Sequence, residues 1–329
     1  MKEQHLPTSI ERILQSAILA PSSHNTQPWK FAVEHDEIHL FPDFERSLPV
    51  ADPQYRELII SLGCALENLI VAARHEGYAV QTSVFPQGVD GIVAKLRPML
   101  FAPDAEQEGR FVAIRQRQTT RRPYDGRLLP LEVIDALAAV PLETGVHLRL
   151  LTDRRDLDKA ATLVRKADEY WMDKNAYRDE LARWVRFSKR EAETHRDGLT
   201  SAASGRKWVP EWLGRFFLKH WLRPEEQASE DVQLIRSASA VLLFYTVNDD
   251  PVTWVRLGQS FERIALTLTQ LGLKHAHHNQ PCEIPALRTH FRKAFGGDIA
   301  YPQLLLRIGY AEGLPAAPRR ELEEVVVAG

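Results

Sequence analysis

Cysteine is nearly absent. Cys64 and Cys282 are the only two in 329 residues, far apart and without a CxxC pair, which excludes a disulfide framework and a zinc ribbon. Neither sign of charge dominates: 42 Lys and Arg stand against 44 Asp and Glu. A net charge of −2 lacks the basic footprint of general nucleic-acid binding. Long hydrophobic runs are missing too. The best, Ala238–Tyr245, is too short to span a bilayer, and MKEQHLPTSIER has no apolar core of a signal peptide. The expectation is a cytoplasmic protein without a membrane partner. GxSxG, Walker and GxGxxG motifs are also lacking, which removes the simplest hydrolase, nucleotide-triphosphatase and Rossmann readings. What remains is an ordinary globular composition, 44% apolar and 26% charged, long enough for two domains or one large one.

The stretch Ala20–Phe31, APSSHNTQPWKF, concentrates polar groups between two regular elements. Ile10, Ile13, Leu14 and Ala17 recur at helical spacing before it. Pro21 lacks an N–H and biases Ala20 away from helical backbone, which stops that helix. Phe31 and Val33 open a strand that turns at His35-Asp36 and returns through Ile38 and Leu40. Ser22, Ser23, His24, Asn25 and Gln27 offer hydroxyl, imidazole and amide groups in the turn. Such a turn suits recognition of a flat polar ring; it also reads as a plain loop with an N-capping serine.

The chain repeats itself. LGCALENLIVAARHEG (Leu62–Gly77) and LGQSFERIALTLTQLG (Leu257–Gly272) align at one offset, matching Leu62 with Leu257, Gly63 with Gly258, Glu67 with Glu262 and Gly77 with Gly272. Each has an apolar face and ends at a glycine suited to a left-handed C-cap. Pro130–Pro141 partly repeats Ser9–Ala20. The second copy replaces the polar turn by LETGVH, whereas only the second is preceded by Arg117-Gln118-Thr119-Thr120-Arg121-Arg122. Each half keeps what the other lacks, the pattern expected of one composite site between related halves.

Arginine forks match phosphate oxygens, so the Arg117–Arg122 cluster and the separate pair Arg319-Arg320 are candidate anion groups; a solvated positive loop is the plain alternative. His275, His277, His278 and Cys282 have ligand chemistry suited to zinc but match no zinc spacing, and a solvent-facing turn after Gly272 accounts for them without a metal. Arg154–Thr194 is charged and helix-forming, with Trp171, Tyr177, Trp184 and Phe187 as buried positions. Arg196–Asp231 reads as an insertion. Its segment KWVPEWLGRFFLKHWLR holds three of the seven tryptophans, Trp208, Trp212 and Trp221, and suggests a lid over a pocket rather than a membrane-surface helix.

APSSHNTQPWKF, ADPQYRELIISLGCALENL, RQTTRRPY and LLLRIGY…APRRELEEVV, in that order, resemble the flavin-dependent nitroreductases, most closely the Acg-type branch with two nitroreductase-like halves in one chain. The resemblance covers nearly the whole chain and is weakest in the lid. It implies an α+β fold with antiparallel-rich sheets flanked by helices, an intramolecular pseudo-dimer, and FMN at the interface. Residues 1–110 would be a partial half supplying the turn. Residues 111–329 would be the second half with the phosphate site and a lid-like insertion at about 190–231. By motif, Arg117, Thr119 and Arg121 fall on the phosphate-gripping segment, and Pro21, Ser22, Ser23 and Asn25 on the turn from the opposite half. Arg319, with Arg320 beside it, falls on the C-terminal arginine near the phosphate. His277, Asn279 and Gln280 fall on the loop lining the ring, where the usual proline-x-glutamate-glycine pattern is missing. The implied activity is hydride transfer from NAD(P)H through FMN to an electron-poor small molecule, nitro- or quinone-like, with no catalytic side chain and no metal. The alternative is a flavin-sequestering protein with an occluded site. Partners would be that small molecule and, for assembly, either a monomeric pseudo-dimer or a homodimer.

Overall fold

The computed structural model describes residues 6–86, 91–99, 105–220 and 223–327. The chain begins with α1 (Thr8–Ala17), β1 (Trp29–Glu34), β2 (Glu37–Pro42), α2 (Arg56–His75), β3 (Tyr78–Val84) and β4 (Ile92–Pro98). After α3 (Ala105–Gln116) the pattern recurs with α4 (Leu131–Ala138) and β5 (Val146–Leu151). Five helices intervene: α5 (Arg154–Met172), α6 (Asn175–Trp184), α7 (Lys189–His195), α8 (Glu211–His220) and α9 (Pro224–Arg236). Two-residue strands β6 (Val185–Arg186) and β7 (Leu199–Thr200) pair between them. Then come β8 (Ala240–Thr246), α10 (Pro251–Gln270), β9 (Lys274–His277), α11 (Gln280–Glu283), α12 (Pro285–Phe295), β10 (Tyr301–Gly309) and α13 (Leu322–Val325).

The two four-stranded sheets share one topology. Their orders are β1-β2-β4-β3 and β5-β8-β10-β9, antiparallel throughout. Taking strands by position in each repeat, the order is first-second-fourth-third both times. The five helices α5–α9 sit between the first two strands of the second repeat. This is the α+β architecture of antiparallel sheets flanked by helices that the motifs led one to expect.

α2 and α10, the repeated helices, cross at their matched glycines. A Cβ on Gly63 would lie 2.2 Å from the Val255 carbonyl oxygen, and one on Gly258 would lie 2.1 Å from that of Ile60. Only glycine lets the backbones approach so closely. Both helices end as their sequences indicate, with Gly77 and Gly272 at φ 86° and 73°. α2 is long and apolar enough to cross a membrane, but 83% of that window is buried inside the fold.

One apolar core joins both sheets through this helix pair. It takes Phe31, Ile38 and Leu40 from the first sheet, Leu62, Leu66 and Phe261 from the helices, and Leu242, Phe244 and Leu306 from the second sheet. The second sheet is covered on its other face as well, where Val241, Leu243 and Leu305 meet α5, α9 and α12 through Val164, Ile235 and Phe291. Burial on both faces explains the apolar run of β8 and of Leu304, Leu305 and Leu306 in β10, a strand that also buries Gln303 and Arg307. β3 is covered on one face only, where Tyr78, Val80 and Val84 pack half-buried against the core, and its other residues are exposed. The C-terminal tail crosses back: Val327 N–H donates to the Phe31 carbonyl at 2.8 Å, beside the edge strand β1. That return carries Arg319 and Arg320 to the N-terminal polar turn.

Candidate functional site

The polar turn is held in a left-handed path. His24, Asn25 and Gln27 have φ of 49°, 53° and 53°, a region costing roughly 1–2 kcal/mol per non-glycine residue. Hydrogen bonds within the turn and with two other segments offset this. The Gln27 N–H donates to Ser22 Oγ at 2.9 Å, and Asn25 Nδ2 donates to the carbonyls of Gly198 and Pro318, each at 3.2 Å. Gln27 Nε2 donates to the Arg196 carbonyl at 2.9 Å. Arg319 donates to the carbonyls of Ile18, Leu19 and Ala20 at 3.1–3.2 Å and to Asn25 Oδ1 at 3.0 Å. Asn25 and Arg319 therefore clamp the turn to the tail and to the base of the insertion. Arg320 does similar work, its N–H donating to Gln27 Oε1 at 2.8 Å and its guanidinium to the Gln27 and Glu324 carbonyls.

The arginine segment runs beside β9. The Thr120 N–H donates to the His275 carbonyl at 2.9 Å, so residues 119–121 lie along that strand. Buried Arg117 forms an ion pair with buried Glu262 at 3.1 Å and donates to the Leu19 carbonyl at 3.0 Å. Burial lifts the Glu262 carboxyl to about 7 against the pull of Arg117. Arg121 is half-buried and, among the described residues, has neither a hydrogen-bond partner nor an ion pair. Arg117, Arg121 and Arg319, with Thr119, Ser22 and Asn25, line a cavity of about 100 Å³. Burial and the nearby Arg117 depress the Arg319 guanidinium to about 9. Burial, with repulsion from Arg307 and Arg206, also lowers Arg121. Three crowded guanidiniums with Glu262 as their counter-charge form a site whose electrostatics a bound phosphate would relieve.

This small cavity adjoins a larger one of about 770 Å³; Pro21, Ser22, Thr119, Arg121 and Leu199 line both. Ser23, His277, Asn279 and Gln280 line the larger. Of the sequence-predicted residues, eleven face one or both cavities and Arg320 faces neither.

The histidine cluster is not a solvent-facing turn, as its sequence suggested. His275 and His277 lie on β9, paired with β10, and His275 and His278 are buried. His277 packs edge-on against Phe261, ring centroids 4.9 Å apart. Burial, then the charge of Arg121, holds His24 down at about 4 and His277 at about 3, so both line the cavity as neutral imidazoles. Among the described residues no group of three metal-ligating side chains is assembled.

Glu57 was not singled out by the sequence reading. It stands in the first turn of α2 and accepts from the Ser23 hydroxyl, from Arg56 Nη2 at 3.2 Å and from Asn279 Nδ2 at 3.4 Å. One carboxylate thus ties the polar turn of the first repeat to the β9–α11 loop of the second. Its signal was its place in the segment ADPQYREL, which carries no local mark of function.

The insertion roofs the larger cavity with Leu213, Gly214, Phe217 and Leu218 of α8. Trp208 and Trp212 do not form that roof. They are 40% and 72% exposed and line neither cavity, and Trp221 lies outside the described residues. In an amphipathic helix over a pocket, leucine and phenylalanine turned inward leave the tryptophan face outward. Trp184 and Phe187, expected to be buried, are half-buried, and Phe187 lines the cavity.

The family model described as "Putative TM nitroreductase" matches residues 1–73. Over 330 residues, 98% of this chain and 92% of the relative, the sequence is 32% identical to "Putative NAD(P)H nitroreductase Rv3131" of Mycobacterium tuberculosis. It is 29% identical over 334 residues to "Putative NAD(P)H nitroreductase acg" of the same species, covering 96% of this chain and 94% of the relative. The solved FMN-dependent nitroreductase NfnB of Mycobacterium smegmatis, in complex with NADPH, is 14% identical; the alignment covers 66% of this chain and 96% of that one, at a TM-score of 0.41.

Proposed function

The chain belongs to the nitroreductase family, and we infer from that premise and from its two adjoining cavities that it is an FMN-binding NAD(P)H oxidoreductase reducing an electron-poor small molecule. The observation that carries this reading is the convergence of Arg117, Arg121 and Arg319 on a phosphate-sized cavity continuous with a ring-sized one. The residues present fit FMN. The three guanidiniums and the Thr119 hydroxyl would hold its phosphate, and Ser22, Ser23, His277, Asn279 and Gln280 would line its ring. Bound FMN supplies two-electron chemistry, taking reducing equivalents from NAD(P)H and giving them to the acceptor.

The protein's own part is binding and electrostatics. Unpaired Arg121 brings positive charge to the site where negative charge develops. Glu57 fixes the Ser23 hydroxyl and the Asn279 amide. Neutral His24 and His277 add no competing charge, and the α8 roof limits water.

Residues 1–110 would act as the half giving the SSHN turn, and 111–329 as the half giving the phosphate groups, so one site per chain is complete. The pseudo-symmetric position supports this count. Glu67, the partner of Glu262 in the repeat, is paired by Arg263 from within the protein, both bonds at 2.8 Å. Arg263 also donates to Glu143 and to the Pro141 carbonyl, so the counter-charge of Glu67 is spent within the protein.

The test is the visible spectrum of the purified protein with added FMN, then anaerobic NADPH and NADH. One FMN per chain, bleached by either nicotinamide, is expected. Two per chain would refute the single composite site. Bleaching by dithionite alone would refute the donor, and failure to bind FMN would refute the whole reading.

A further inference from the structure

Two carboxyl groups in the wall of the larger cavity have no part in the reading above. Asp168 on α5 and Asp231 on α9 are 1% and 7% exposed, and both line the cavity. They stand on neighbouring helices in that one wall, near enough that the charge of Asp231 raises the Asp168 carboxyl. Asp168 Oδ2 has no partner, and Asp168 lies on the buried stripe of α5 with Leu157, Val164, Ala167 and Trp171. It caps nothing among the described residues, and an apolar residue would pack there at less cost.

The groups facing the pair do not neutralise it. Asp231 accepts from Gln227 Nε2 at 3.3 Å, and His278 Nδ1 stands 3.9 Å from Asp231 Oδ1. Glu169 and Glu230 add like charge from the same two helices. Arg121 and Arg307 add opposite charge to Asp231. Arg307 is largely engaged elsewhere: Nε donates to His278 Nε2 at 3.1 Å, Nη2 donates to the Arg122 carbonyl at 3.0 Å, and the guanidinium stacks on Tyr124 at 4.0 Å. Its Nη1, however, is buried without a partner, and Arg307 lines the same cavity. Two buried carboxyls that repel one another's charge resist ionising together, so they keep one proton between them. Burial and the neighbouring Asp231 accordingly hold Asp168 far above the usual carboxylate range.

We propose that Asp168 and Asp231 are the proton donor for the acceptor, placed with Arg307 to receive the oxygen of a quinone-type molecule whose apolar body lies against Met172, Leu213, Phe217 and Leu234. This rests on the oxidoreductase reading and names its acceptor chemistry. The balance is simple. NAD(P)H is oxidised to NAD(P)+ and supplies a hydride, the quinone gains those two electrons and that hydrogen, and the second hydrogen comes from the carboxyl pair. The carboxyl O–H bond breaks as the hydroquinone O–H bond forms, and solvent returns a proton to the pair.

The test uses full-length protein and the isosteric variants Asp168→Asn and Asp231→Asn, with two readouts. Infrared spectra of the FMN-free protein at pH 7 should contain, beside the signal of other buried carboxyls such as Glu262 and Glu283, a protonated-carboxyl band that both variants lose in wild-type-minus-variant differences. Stopped-flow reoxidation of dithionite-reduced holoprotein should slow about 100-fold with p-benzoquinone in Asp168→Asn, the scale of a lost general acid. Reoxidation by ferricyanide, which takes electrons and no proton, should keep its wild-type rate within about twofold, since no proton donor is needed for it. The proposal is overturned if the band survives in both variants, if both oxidants slow alike, or if the quinone rate is unchanged. A wild-type protein that holds no FMN overturns the parent reading, and this one with it; a wild type reduced by dithionite but not by NAD(P)H overturns only the donor assignment.

Discussion

Replacing Arg117 by alanine tests how the phosphate cavity is held together. The change removes the guanidinium 3.1 Å from Glu262 and its bond to the Leu19 carbonyl. Glu262 is fully buried, and a buried charge stripped of its partner costs about 3–5 kcal/mol while it stays charged. It need not stay charged, because its carboxyl titrates at about 7 in the intact protein and moves higher without Arg117. A carboxyl whose folded pKa lies above its unfolded value loses stability as pH rises from the unfolded value to the folded one. In the intact protein that loss ends near pH 7, whereas in Arg117→Ala it continues through pH 8. At about 1.4 kcal/mol per pH unit, the penalty should be about 1 kcal/mol larger at pH 8 than at pH 6. Urea unfolding of FMN-free wild type, Arg117→Ala, Glu262→Gln and the double variant at both pH values measures it. A loss of about 2–4 kcal/mol at pH 8 is expected, partly recovered in the double variant. Equal penalties at the two pH values, or a double variant worse than the sum, would refute the buried-pair reasoning.

Other outcomes follow from the same geometry. Gly63→Ala and Gly258→Ala each place a Cβ within 2.2 Å of a carbonyl oxygen across the helix crossing; despite the helix-propensity gain, each should cost about 1–3 kcal/mol net, and an unchanged melting temperature would contradict the crossing. Because His24 and His277 titrate at about 4 and 3 in the fold against 6.5 outside it, the folded state binds fewer protons, so stability present above pH 6.5 is lost as pH falls toward 4. His277→Gln should flatten that slope in acid titrations of the FMN-free protein. Arg319→Ala should weaken FMN binding at least about tenfold, from one or more lost charge-assisted bonds. Arg320→Ala should weaken it less in the same fluorescence titration, since Arg320 lines neither cavity; the reverse order would sink the phosphate assignment.

Local pattern served well where one short segment decides its own state. α1 ended ahead of Pro21, Gly77 and Gly272 closed two other helices, and the apolar run Ala238–Tyr245 holds most of β8, which is buried because both of its faces are covered. The repeated glycines were visible as a match, but their reason, the close crossing of α2 and α10, lies in an approach between residues far apart in the chain. The histidines near Cys282 misled for a related reason. Their polarity suggested a turn, whereas pairing with β10 and packing on Phe261 buried them.

By itself, then, the sequence determined where several elements lie and that the chain repeats itself, because periodicity, turn chemistry and repeated motifs are properties of contiguous residues. The tertiary structure alone decided which of many polar groups faces the cavity and which is spent on the scaffold. Arg319 clamps a strained turn while lining the smaller cavity, Glu57 bridges the two repeats, and Asp168 and Asp231 share one cavity wall from two helices. Each of these depends on where distant backbone carbonyls and charges come to rest, and a hydrogen bond or a shared proton between remote residues leaves no mark in the spacing of either one.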